Sequence, residues 1–189
     1  MKASDIVQHL IKQPLQAQSR PLATCFAPTN IALIKYWGKR QLELNLPVTG
    51  SLSVTLPNKG TTTTLSINSS NHDNVTLNGK KLSNDDKFSK RLSDFLNLFR
   101  QNQAVFFDID TSNNIPTAAG LASSASGFAA IVMALNELFE WQLSDKALSI
   151  LARMGSGSAC RSFWPGFVEW HGGAQEDGLD SFAKPLDDK

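Results

Sequence analysis

The feature that most limits how this chain can fold is an apolar stripe in its second half. Leu121, Ala125, Phe128, Val132, Leu135 and Phe139 recur every three or four residues, which marks one face of a long α-helix. A helix with a single apolar stripe must bury it against a second layer, and strands suited to that role precede it. Leu52, Val54 and Leu56 alternate with Ser51, Ser53 and Thr55, and Thr61 to Ile67 is β-branched and alternating, so residues 22–67 are expected to supply antiparallel strands. Val105, Phe107 and Ile109 alternate with Phe106, Asp108 and Asp110 as a further strand. At 189 residues and 41% hydrophobic, the chain can bury a substantial core.

The remaining elements follow from local signals. Ile6, Val7, Leu10 and Ile11 fit a short amphipathic helix that Pro14 ends, and residues 1–21 are expected to be an extension ahead of the folded domain. Val75 to Leu82 surrounds Asn78-Gly79, whose tolerance of positive φ predicts a tight hairpin. Asn84 is placed to cap a helix carrying Phe88, Leu92, Phe95 and Phe99 on one face and ending near Arg100. Ser144 and Asp145 open another helix, through Leu148 and Leu151. A Gly- and Ser-rich turn and an aromatic β segment, Phe163 to Trp170, come next. The domain is expected over residues 22–175, with the polar stretch 176–189 as a connection.

A net charge of +1 gives no electrostatic reason to expect nucleic acid or an anionic membrane as partner, so any phosphate must be held locally. Cys25 and Cys160 lack ligand spacing and fit reduced thiols of a cytoplasmic protein. Polar residues interrupt the N-terminal apolar positions, unlike a signal peptide, and no segment reaches the roughly 20 apolar residues of a membrane span.

Three segments carry chemistry. Pro116 to Ser126, PTAAGLASSAS, puts small residues and hydroxyls at the start of the long helix, where unpaired N–H groups and the helix dipole attract anions. Ala118, Ala119, Gly120 and Ala122 would let a polyphosphate approach the backbone, and Ser123 and Ser124 could donate to it or touch Mg²⁺. A close-packed helix start accounts for the same residues equally well, and neither the Walker pattern nor the dinucleotide glycine pattern is present. In NIALIKYWGK, Asn30 to Lys39, the groups of Lys35, Tyr36 and Lys39 could hold a pyrophosphate, while Trp37 reads as packing and the lysines could simply reach solvent. In MGSGSACRS, Arg161 beside a Gly155–Ser158 turn suits a carboxylate, or equally a structural salt bridge. His9, His72 and His171 are scattered and point to no function.

These segments, in this order, resemble the diphosphomevalonate decarboxylases of the GHMP kinase superfamily. APTNIALIKYWGK followed by LNLPVTGSLSVTL is similar nearly residue for residue, with Gly50 a departure where Ser or Asn is common. Trp164-Pro165-Gly166-Phe167 departs from a common Gly-Gly-Phe, so the backbone after Arg161 is expected to differ. The resemblance implies an α+β fold of the GHMP kinase N-terminal type, a mixed sheet with packed helices. It also implies that the ferredoxin-like second half and the catalytic aspartate lie beyond residue 189, which would leave an apolar face exposed.

The implied activity is ATP- and Mg²⁺-dependent decarboxylation of mevalonate 5-diphosphate to isopentenyl diphosphate. Asn30 and Arg161 would act on the carboxylate side. Lys35, Tyr36, Trp37, Lys39, Ser156, Ser158 and, more weakly, Ser112 would contact substrate. Pro116, Ala118, Ala119, Gly120, Leu121, Ala122, Ser123 and Ser124 would hold ATP, with Ser124 nearest the Mg²⁺. The resemblance allows a homodimer. A related small-molecule kinase, a phosphomevalonate decarboxylase and a non-catalytic phosphate-binding module remain alternatives.

Overall fold

A computed structural model of the chain describes residues 1–12, 15, 20–101, 103–115 and 123–186. In chain order the elements are α1 (Ala3–Leu10), β1 (Ala23–Ile34), β2 (Lys39–Gln41), β3 (Leu46–Pro47), β4 (Ser51–Asn68), β5 (Asn74–Leu77), β6 (Lys80–Lys81), α2 (Lys87–Arg100), β7 (Phe106–Asn113), α3 (Ser123–Leu138) and α4 (Asp145–Gly155). A short 3-10 helix (Gly157–Arg161) then leads to β8 (Phe167–Trp170) and β9 (Ala183–Pro185).

Ala125, Phe128, Val132 and Leu135 of the apolar stripe fall in α3, which packs on β1 and β4; Phe139 follows its end, and Leu121 lies outside the described residues. β4 organises the sheet: residues 51–54 pair with β8, residues 61–68 with β7, and β1 runs antiparallel along most of its length. β5 joins β7 in parallel and β6 in antiparallel, so the sheet is mixed, as the α+β expectation requires. The register of β1 on β4 shifts between Pro28 and Thr29, opposite exposed Pro57, Asn58 and Lys59. Gly60 allows this kink, because a Cβ there would press on the carbonyl oxygen of Ala27.

Alternation correctly identifies β4, but its polar face is the one turned toward the helices. Ser51, Ser53, Thr55, Thr61 and Thr63 are buried, and Thr61 meets Ser126 of α3 hydroxyl to hydroxyl at 2.8 Å. Close packing of small residues and hydroxyl pairs, including Thr63 with Thr111 at 3.0 Å, takes the place of an apolar contact. The opposite face carries Ile31, Val54 and Phe167, adjacent across three strands, with Ile31 and Phe167 exposed.

The core lies between the sheet and α2, α3 and α4, and its aromatic residues interlock. Phe95 meets Phe128 edge-on at 4.9 Å, and Trp141 stacks on Phe139 at 5.3 Å. The Asp73 carboxylate is fully engaged inside this layer by Arg100, Ser93 Oγ at 2.6 Å and the Phe107 N–H at 3.0 Å, which fastens α2 to β7.

Several boundaries differ from expectation for local reasons. Residues 1–21 contribute α1, whose Ile6 and Val7 are buried in the main core, and residues 176–189 contribute β9, an edge strand on β8. Asp86, not Asn84, caps α2, accepting from the Phe88 N–H at 2.8 Å. The chain is still turning at Ser83–Asp86, so the first extended residue before the helix is Asp86. The hairpin forms where Asn78 and Gly79 take positive φ, and Ser144 caps α4 by accepting from Ala147. β8 begins only at Phe167, after Pro165 and positive-φ Gly166.

α4 runs on to Gly155, so the Gly155–Ser158 segment is the end of one helix and the start of another instead of a flexible turn. A Cβ at Gly155 would sit 2.3 Å from the Phe128 ring, which Phe95 and Arg91 hold in place. Gly155→Ala gains about 1 kcal/mol of helix propensity but overpacks the core at a cost of about 1–3 kcal/mol. We expect a net loss of stability in denaturant unfolding; a more stable variant would show that the Phe128 ring yields freely.

Candidate active site

The end of β1, the start of β4 and the 3-10 helix after α4 converge on Arg161. Its side chain is 2% exposed, and the guanidinium donates through Nη1 to Ser51 Oγ and through Nη2 to Asn30 Oδ1 at 3.1 Å. Asn30 is itself buried and donates from Nδ2 to Ser162 Oγ at 2.8 Å and to the Ser158 carbonyl at 3.2 Å. Among the described residues Arg161 Nε has no hydrogen-bond partner. Among the described residues no carboxylate lies within ion-pair distance of Arg161.

The electrostatic setting is costly. Burial pushes the Arg161 guanidinium below its ordinary value. The Cys160 thiolate would be the strongest offset, but burial pushes that thiol up to about 12, so at neutral pH it carries no charge. A buried guanidinium with spare donors and no counterion among the described residues favours an anionic ligand that can accept from it. Among the described residues, the structural salt bridge that the sequence left open is not formed.

Tyr36 packs edge-on against Trp170 at 4.9 Å, bringing its hydroxyl beside Gly157. A Cβ at Gly157 would lie 3.0 Å from the Trp170 ring and 3.3 Å from that hydroxyl, so the close approach depends on glycine. The hydroxyls of Ser124, Ser156 and Ser158 form a line at the start of α3, 3.5 and 3.4 Å apart. Ser124 also lines a cavity of about 200 Å³ between α2, α3 and the sheet. Phe88, Leu92, Phe128 and Ile131 give that cavity apolar walls, and Arg91, Thr111 and Asn113 give it polar atoms.

Asn30, Tyr36, Ser124, Ser156, Ser158 and Arg161 are therefore brought together. Lys39 sits on the neighbouring β2–β3 hairpin, where its Nζ donates to Asn45 Oδ1 at 2.6 Å, and Lys35 is exposed at the end of β1. Trp37 does not pack: its side chain is 76% exposed, because alternation along the extended chain turns Tyr36 inward and its neighbour outward. Ser112 is not brought to the others. It pairs with Thr62 on the sheet face opposite the one where Thr61 meets α3. Pro116, Ala118, Ala119, Gly120, Leu121 and Ala122, and the side chain of Ser123, lie outside the described residues.

Sequence reasoning missed Ser51, Ser162 and Asn45. The available signal was polarity where an alternating strand should be apolar: Ser51 and Ser53 occupy the buried face of β4.

A family model for the diphosphomevalonate decarboxylase-like N-terminal domain matches residues 27–183. The chain belongs to that family. Within the family, the diphosphomevalonate decarboxylase of Aspergillus fumigatus is 46% identical over 182 residues, covering 87% of this chain and 45% of that protein. The crystal structure of mevalonate diphosphate decarboxylase from Staphylococcus aureus superimposes with a TM-score of 0.78 at 43% identity, over 88% of this chain and 50% of that one. A structure described as a complex with MVAPP, AMPPCP and magnesium gives 0.77 at 44% identity, over 88% and 50% of the two chains. This family member thus spans about half the length of the relatives it matches.

Burial of Cys160 has a pH consequence. Its folded value of about 12 lies above the ordinary 9.0, so the stabilisation is complete below pH 9 and is lost as pH rises toward 12. In urea unfolding above pH 9, we expect wild type to lose stability more steeply than Cys160→Ala, by up to about 1.4 kcal/mol per pH unit. Equal slopes would mean that this thiol ionises as easily folded as unfolded.

Proposed function

We propose that this chain is the substrate-binding and nucleotide-binding portion of a diphosphomevalonate decarboxylase, acting on mevalonate 5-diphosphate with ATP and yielding isopentenyl diphosphate. The observation that carries the reading is the buried Arg161, held by Asn30 and Ser51 and without a counterion among the described residues. The substrate of this reaction has the carboxylate that such a group lacks. Arg161 grips and orients it, and Asn30 fixes the guanidinium plane. Because Arg161 is almost fully enclosed, the carboxylate reaches it only when neighbouring chain moves aside.

Tyr36, Lys35 and Lys39 hold the diphosphate at the open end of the site, where two ammonium groups and a hydroxyl replace lost hydration. The exposed indole of Trp37 lies on the same arc and covers the ligand. Ser156 and Ser158 hydrogen-bond the substrate next to Arg161. ATP binds with its phosphates at Pro116–Ser124 and its base in the cavity beside Ser124, whose apolar walls and few polar atoms suit a heteroaromatic ring.

Among the described residues no cluster of three or more His, Cys, Asp or Glu could hold a metal ion. Mg²⁺ fits here as an ion carried chiefly by nucleotide phosphates, with the Ser124 hydroxyl as a further oxygen. When bound, it neutralises charge on the transferred phosphoryl group.

Calorimetric titration with mevalonate 5-diphosphate tests the assignment. Loss of a charged hydrogen bond of about 1.5–3 kcal/mol predicts that Arg161→Met binds roughly 10- to 150-fold more weakly. Unchanged affinity with the fold intact would contradict the proposed carboxylate contact.

A further inference from the structure

We propose that Asn45 is a positioning residue that ties the Lys39 ammonium to the C-terminal end of α4, setting the spacing between the diphosphate-binding lysine and the Arg161 segment. This rests on the reading of Lys39 given above. The Asn45 side chain makes three hydrogen bonds. Its Nδ2 donates to the carbonyls of Arg153 and Met154, both at 2.9 Å, and its Oδ1 accepts from Lys39 Nζ at 2.6 Å.

The two carbonyls belong to the last turn of α4, where the helix provides no N–H donors of its own for them. Two residues beyond α4 begins the 3-10 helix that ends in Arg161. One neutral amide therefore spans the distance between the two halves of the site. Few side chains can do this: Asp accepts but cannot donate, and Lys and Arg donate but cannot accept. The backbone of Asn45 is left-handed, with φ of 52°, a conformation Asn tolerates better than most residues.

The hairpin carrying Asn45 is itself fixed. Buried Arg153 donates from Nε to the Leu44 carbonyl at 3.0 Å and from Nη1 to the Gly178 carbonyl at 2.8 Å. Arg40 donates to the carbonyls of Gln175 and Gly172, at 3.0 and 3.2 Å. Asn45 is where this frame reaches an exposed, rotamer-rich lysine. With one ammonium N–H used on Asn45, two remain for an anion, and the side chain is already ordered before ligand arrives.

The test is a double-mutant cycle on the full 189-residue chain, with inorganic pyrophosphate as probe and Asn45→Gly chosen because glycine keeps the left-handed backbone. Immobilising one flexible side chain corresponds to roughly 3- to 10-fold in affinity. Asn45→Gly should weaken pyrophosphate binding by that factor when Lys39 is present and leave it unchanged in a Lys39→Met background. An equal loss in both backgrounds, or none in either, overturns the proposal while leaving the diphosphate reading in place. Pyrophosphate affinity indifferent to Lys39→Met overturns both together. A measurement on wild type guards against a variant that fails to fold: the Lys39 ammonium should give a slowly exchanging ¹H–¹⁵N signal at neutral pH, and absence of an anchored signal also overturns the proposal.

Discussion

Arg161 is charged, enclosed and, among the described residues, without a carboxylate, and the neighbouring segments are arranged to make that tolerable. The desolvation penalty for such a group is on the order of several kcal/mol. Its partners are neutral: a hydroxyl from Ser51 at the start of β4 and an amide oxygen from Asn30 late in β1. That requirement explains why β4 turns its hydroxyl face toward the helices. An inward-facing Leu52, Val54 and Leu56 would strip the guanidinium of its acceptors, so the apolar face is displaced to the other side of the sheet. A site that costs stability in this way is the expected signature of a group kept for a ligand.

The same constraint shows why the fold was more legible than the site. α3, the Asn78-Gly79 hairpin, α2 up to Arg100 and the Ser144 cap are determined by periodicity or by one local bond, so a single sequence reveals them. The orientation of β4 depends on Arg161, more than a hundred residues away, and no local pattern encodes it. Asp86 displaced Asn84 as a cap because turn geometry outside the helix decided between neighbouring acidic and amide residues. Residue type leaves Arg161 open between a carboxylate site and a structural salt bridge, and only the resemblance singles out Asn30, since a lone Asn has no periodic signal. Asn45 and Ser162 likewise lack a periodic signal, whereas Ser51 is marked only by its polarity on the buried face of β4.

Two rigid frames meet at the site. α4 and its 3-10 continuation carry Arg161, Ser156 and Ser158, and the β2–β3 hairpin, pinned by Arg153 and Arg40, carries Lys39. Tyr36 closes the space between them through Trp170 and Gly157. Ser124 stands at the junction with the cavity beside α3, so a ligand spanning cavity and cleft would pass the aligned serine hydroxyls. This continuity is what the proposed placement of nucleotide and substrate side by side requires.

The central claim is that Arg161 waits for a carboxylate, and the guanidinium resonance reports on it most directly. In ¹H–¹⁵N spectra of the chain, Arg161 Nε, assigned by its loss in Arg161→Met, should shift on adding mevalonate 5-diphosphate. Isopentenyl diphosphate, which has the diphosphate and no carboxylate, should leave it in place. Equal shifts with both ligands, or no shift with either while both bind, would contradict the account.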